Sequence, residues 1–284
     1  MKKFALVLAT LIPALSTFAQ VEAEIVVNQD KFLPAEELMA GVRIVNRSGQ
    51  TLHLGEDADW VKFTIEKDSG GVVHQAAEPP VKGGFDLKST ERATLRVDLA
   101  PCYDLRERGR YLISATIRIK EWNQTISTKP VAVEIVEGTK LWEQEVGVPQ
   151  PGGPPEMRSY TLQQANYLKD QLRLYLRVAD RHGHVLKMIN VGPMISFGQP
   201  EQQVDSTSRL HLLYQKSNKR FAYLVVKPDG EIQTRQTFEY TETRPRLQPD
   251  DKVGISVSGG ERIVSADDIP RATKSKDNDK KKEK

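Results

Sequence analysis

Along most of this chain apolar and polar residues alternate one by one, the period of a strand with one face buried. The pattern is clearest from Leu95 to Ile119. Leu95, Val97 and Leu99 share one face, a charged corner follows, and Tyr111, Ile113, Ala115, Ile117 and Ile119 share the next. Val61, Phe63 and Ile65 alternate in the same way with Lys62, Thr64 and Glu66. Shorter apolar runs lie at 24–27, 38–45, 51–54, 72–74 and 130–136. Turn residues separate them, among them Asn46-Arg47-Ser48-Gly49 and Asp68-Ser69-Gly70-Gly71. Strands at this spacing, with no stripe of helical period, predict an antiparallel β-sandwich over residues 22–138.

Residues 147–155 read GVPQPGGPP. Such a run is not expected to pair in a sheet and predicts a semi-rigid linker over residues 146–157. Alternation resumes from Arg158. Leu172, Leu174, Leu176 and Val178 share a face, and further runs lie at 185–189, 210–214, 221–226, 232–240 and 253–257. Two phrases match in their ends, Pro200 to Asp205 (PEQQVD) and Pro245 to Asp250 (PRLQPD). Leu172, Leu210 and Val253 open similar strands at spacings of 38 and 43. A period near 40 with several strands resembles β-propeller blades. A closed propeller needs at least about four blades, and 158–264 holds little more than two. The second half is therefore expected to be an antiparallel β domain with propeller-blade-like repeats, either a partial stack completed by another chain or an ordinary sheet domain.

The ends of the chain differ from its body. Two lysines precede an apolar run from Phe4 to Leu15, and Thr17-Phe18-Ala19 offers small residues where a signal peptidase reads. This predicts a signal peptide over residues 1–19 and an exported protein, periplasmic or extracellular. The run is short for a membrane span, and no other long apolar stretch exists. Residues 265–284 lose the alternation and end in KSKDNDKKKEK, expected to be a disordered lysine-rich tail. The formal charge is +3, but the leader's two lysines and the tail's excess of three account for more than that. The body is close to neutral, which gives no support for nucleic-acid binding. Cys102 is the only cysteine, so no internal disulfide forms and stability rests on apolar burial.

The buried strand before Asn46-Arg47-Ser48-Gly49, the Asp68–Gly71 turn, and Gly109-Arg110-Tyr111 opening a late strand resemble the immunoglobulin-like sandwiches of bacterial exported proteins. The resemblance implies a corner in which the Tyr111 hydroxyl bonds back to the main chain, with Gly109 before it. Ile113 stands where an antibody-type domain has a cysteine, so such domains are excluded. The Asn-x-Ser-Gly turn and the strand–turn–strand from Phe63 to Val73 are also similar to proteinase-inhibitor sandwiches.

Motifs for chemistry are absent: no Gly-x-Ser-x-Gly, no phosphate loop, no dinucleotide fingerprint and no His-Glu-x-x-His. His182 and His184 flank a glycine in a turn and have no further ligand nearby in sequence, so no metal or cofactor is expected. Glu56, Asp57 and Asp59 cluster in a loop before Trp60, making Asp57, Asp59 and Trp60 the candidate binding residues. Pro101–Arg108 and the loop around Met194–Asp205 are further binding surfaces. Asp205 and Asp250 have two readings: aspartates that bond the backbone of their own turns, or the carboxylate pair of a glycan hydrolase. The expectation is a non-catalytic binding or structural protein recognising a protein or glycan partner. A glycan hydrolase and a proteinase inhibitor are the alternatives. An unpaired apolar edge in the second half would imply assembly with another chain, a second copy included.

Overall fold

The computed structural model describes residues 21–167, 171–250 and 254–270. The expected leader over 1–19 lies outside them, as does the tail beyond 270. The described chain is all-β and built of antiparallel sheets, with no α-helix among the described residues.

The first half holds β1 (Val21–Val27), β2 (Lys31–Phe32), β3 (Met39–Asn46), β4 (Leu52–Leu54), β5 (Val61–Lys67), β6 (Phe85–Leu87), β7 (Arg92–Asp98), β8 (Gly109–Ile119), β9 (Gln124–Ser127) and β10 (Val131–Ile135). One sheet runs β1-β3-β7. A second runs β2-β10-β8-β5, with β9 alongside β8, and β4 pairs with β6. All pairings here are antiparallel except β2 with β10. The two larger sheets bury alternate residues in one shared cluster. Ala40, Val42 and Ile44 enter it from β3, and Tyr111, Ile113, Ala115, Ile117 and Ile119 from β8. Each large aliphatic side chain so buried contributes about 1.5–3 kcal/mol relative to exposure.

The second half holds β11 (Thr139–Gln150), β12 (Gly153–Asn166), β13 (Leu172–Asp180), β14 (Val185–Pro193), β15 (Glu201–Val204), β16 (Leu210–Gln215), β17 (Arg220–Val226), β18 (Ile232–Glu239), β19 (Arg246–Asp250), β20 (Gly254–Ser258) and β21 (Glu261–Ile263). A sheet in the order β11-β12-β13-β14 shares a core with one in the order β15-β16-β17-β18-β21. Leu162, Leu174, Leu176 and Val178 meet Leu210, Leu212, Leu224 and Val226 there. The β19-β20 hairpin covers the other face of the second sheet through Leu247 and Ile255. The two matching phrases form β15 and β19, each the first strand of a hairpin. No sheet closes on itself among the described residues.

Residues 146–157 are not a linker. They are the outer end of the β11-β12 hairpin, with Gly147 opposite Met157, Val148 opposite Glu156 and Gln150 opposite Gly153. The prolines fit because nothing asks them for an amide. β11 is an edge strand, and the register shifts between Val148 and Gln150, leaving Pro149 out of the ladder. β12 meets β13 only from Arg158 onward, so Pro154 and Pro155 have a neighbour on one side alone. Pro151-Gly152 turns the chain, with Gly152 at φ 73°. The sheet of the second half therefore starts at Thr139 rather than at 158. Residues 265–270 also depart from the expected tail. Ile269 exchanges two backbone hydrogen bonds with Arg235 (both 3.0 Å), and the buried Asp268 pairs with Arg262 at 2.7 Å.

Candidate functional site

Few of the sequence candidates offer themselves to a ligand. Trp60 is not the exposed platform a ligand could stack on. Only 3% of it is accessible; its indole N–H donates to the Val81 carbonyl (2.8 Å) and its ring meets Phe85 edge-on. Trp60 precedes β5 and has the parity of Lys62 and Thr64, so its burial comes from packing on Phe85 and Val81 and not from strand alternation. Asp57 and Asp59 each sit 3.1 Å from Arg118. The Tyr111 hydroxyl donates to the Glu107 carbonyl (2.7 Å), and Gly109 adopts φ 150°, a conformation that favours glycine. Cys102 is buried, and burial raises its thiol pKa.

Asp205 is committed to its own loop. Oδ1 accepts from the Thr207 N–H, the Thr207 hydroxyl and the Arg209 N–H. Oδ2 accepts from Arg209 Nε (2.7 Å) and meets His211 Nε2 at 3.1 Å. These donors occupy the roughly four lone-pair sites of a carboxylate. Burial pushes its pKa up, but the hydrogen bonds from Arg209, Thr207 and His211 outweigh that and hold it far below the usual range. With Asp205 ionised, His211 carries its proton on Nε2 and accepts at Nδ1 from the Tyr223 hydroxyl (2.7 Å). Asp250 closes β19 opposite Gly254, on the separate hairpin. Among the described residues no group of three or more histidines, cysteines and acids is placed to hold a metal ion.

A further cleft lies where the halves meet. Its volume is about 710 Å³, with Ala35, Glu37, Met39 and Pro101 on one wall and the six consecutive residues Val185 to Asn190 on the other. Side chains of a strand alternate between its faces. A cavity over one face would meet every second residue, so contact with six in a row places this cleft along the backbone edge of β14. That edge is unpaired: β14 is bonded to β13 on one side and to no strand on the other among the described residues. Register shifts leave Leu186 and Val191 out of the ladder, so Lys187–Asn190 is the regular stretch.

One end of the cleft is held by a polar chain that crosses between the halves. Glu36 Oε2 accepts from the Leu33 N–H (2.8 Å), and Oε1 from the amides of Gln29 (3.0 Å) and Asn190 (3.3 Å). Asn190 in turn accepts from Arg173 Nη1 (3.2 Å). The Arg173 guanidinium lies 3.7 Å from the centre of the Tyr167 ring, and the Tyr167 hydroxyl donates to the Asn28 carbonyl (3.0 Å). Burial pushes the Glu36 carboxyl above its ordinary value, against the pull of Gln29, Leu33, Asn190 and the Arg173 charge. Leu33 of the first half packs with Tyr175 and Met188 of the second. None of these residues stood out in the sequence. The legible signal was at the strand itself, where Lys187, Gly192 and Pro193 mark an edge.

No protein-family model matches the sequence, and no curated protein matches it. The chain is similar to the crystal structure of Spo0M, a sporulation control protein from Bacillus subtilis, at 11% identity and a TM-score of 0.29. The match covers 59% of this chain and 83% of that one. A likeness so loose carries neither fold nor function.

Proposed function

We propose that this protein is an exported, non-catalytic binding protein that captures an extended segment of a partner polypeptide as an added strand on β14. The observation that carries this reading is the unpaired backbone of Lys187–Asn190 along the wall of a cleft. In an antiparallel ladder every second residue turns both N–H and C=O outward. Four residues thus offer about four hydrogen bonds, each worth about 0.5–1.5 kcal/mol net. Met39, Pro101 and Met188 give the cleft an apolar part of its lining. The first half serves as a scaffold, read as an immunoglobulin-like sandwich. The bond from Tyr111 to the Glu107 carbonyl supports this corner. The second half reads as two propeller-like meanders face to face.

The test uses fluorescent heptapeptides of alternating valine and threonine, titrated into the mature chain. Binding in the micromolar-to-millimolar range is expected. It should weaken at least about tenfold when the central amides are N-methylated, since two hydrogen bonds at about 1 kcal/mol each are lost. Slowed amide exchange should map to Lys187–Asn190. Binding indifferent to N-methylation, or no binding by any of these peptides, refutes strand addition.

A further inference from the structure

A second site lies on the second half, on the sheet face at the base of the β11-β12 hairpin. A groove of about 430 Å³ is lined by Trp142, Gln164, Ser196, Phe197, Gln199 and Gln202, among others. Its volume falls in the range of small-ligand sites. On β12 it meets Leu162 and Gln164, alternate residues, so it lies over the face of the strand and not along its backbone edge.

The loop that walls it is built to present an aromatic ring. The Gly198 N–H bonds the Ile195 carbonyl (3.2 Å), and the Ile195 N–H bonds the Gln215 carbonyl (3.2 Å). Ser196 and Phe197 thereby occupy the two central positions of a tight turn tied to β16. Phe197 is left 84% exposed, the most exposed large apolar side chain among the described residues. Gly198 is close-packed beneath it: a Cβ there would meet Ile195 Cγ1 at 2.9 Å. Trp142, half-buried against the core, contributes a second ring to the lining.

The polar lining is equally selective. In a chain with 28% charged residues, no lining residue of this groove is charged. Its polar groups are the amides of Gln164, Gln199 and Gln202 and the hydroxyl of Ser196. Among the described residues none of these side chains has a hydrogen-bond partner. A phosphate, a uronate or a nucleic acid would find no cation here. A hydrocarbon would leave three amides without partners. Each amide offers a donor and an acceptor, which suits neighbouring hydroxyls, and an aromatic face suits the C–H face of a sugar ring.

From this combination we infer that the groove binds a neutral saccharide, stacked on Phe197 and hydrogen-bonded by the three glutamine amides. The experiment is a calorimetric titration of the mature chain with cellohexaose, xylohexaose, maltohexaose and chitohexaose. Polygalacturonate serves as the charged control. At least one neutral oligosaccharide should bind, and polygalacturonate should not. Phe197→Ala should weaken binding at least about tenfold while leaving the melting temperature in place, since the ring is exposed. Phe197→Trp should retain binding. Failure of all four neutral sugars, survival of binding in Phe197→Ala, or a preference for polygalacturonate overturns the inference. Peptide capture at β14 is read by a separate probe at a separate site, so either reading can fail alone.

Discussion

Replacing Asp205 by asparagine keeps its size and removes its charge. The asparagine oxygen can still accept from the Thr207 and Arg209 main-chain amides. At the Oδ2 position, however, an NH₂ group would face Arg209 Nε and His211 Nε2, both donors in the native arrangement. His211 can shift its proton to Nδ1 and reverse its bond with Tyr223, so that pair is recoverable. Arg209 is not: its half-exposed guanidinium must turn to water. Hydrogen bonds to charged groups are worth about 1.5–3 kcal/mol each, so Asp205→Asn should cost about 2–4 kcal/mol at neutral pH. The sign with pH follows from the direction of the shift. The folded pKa of Asp205 lies below the unfolded one. Its contribution is therefore complete above the ordinary aspartate range and fades as pH falls through the folded value. Urea unfolding of wild type and Asp205→Asn, followed by tryptophan fluorescence at pH 7 and pH 3, reads both effects. The gap between the two proteins should be largest at pH 7 and should narrow in acid. A gap under about 0.5 kcal/mol at pH 7, or one that does not narrow, would refute the role of this carboxylate as the anchor of its loop.

Other perturbations separate core from surface. Tyr111→Phe removes one hydrogen bond to a carbonyl that water can reach, and should lower stability by about 0.5–1.5 kcal/mol in chemical denaturation. No change would remove the corner. Trp60→Ala should cost about 3–5 kcal/mol by calorimetry, the price of emptying a buried aromatic site. Asp57→Asn should cost less than about 1 kcal/mol, because its pairing with Arg118 is solvent-screened. Glu36 titrates in the opposite sense to Asp205. Its folded pKa is raised, so its contribution is full below the ordinary glutamate value and is lost as pH rises through the folded pKa. The stability of wild type relative to Glu36→Gln should therefore fall between pH 4 and pH 7, and a rise would contradict the buried position of the carboxylate.

Much of the strand content was legible because period-two burial is a local property. β8 shows this best, since every second residue from Tyr111 to Ile119 is buried. Sequence reasoning went astray where partners mattered. Proline and glycine in residues 147–155 argued for a linker, yet proline is harmful only where a neighbouring strand needs its amide. Pro149, Pro154 and Pro155 lie where no strand does. Trp60 stood in the sequence as a candidate binding residue, and burial against Phe85 and the Val81 carbonyl makes it a core residue.

The sequence by itself determined an all-β chain and the faces of many of its strands, because alternation acts over a few residues. The rest came from tertiary structure. Glu36 and Asn190 are 154 residues apart and meet only because the two halves pack together. The unpaired edge of β14 exists only by virtue of the strand order. Phe197 stands exposed beside the groove because a tight turn tied to Gln215 holds it there. Such sites depend on which surfaces are left uncovered after packing, and that is a property of the whole fold rather than of any segment.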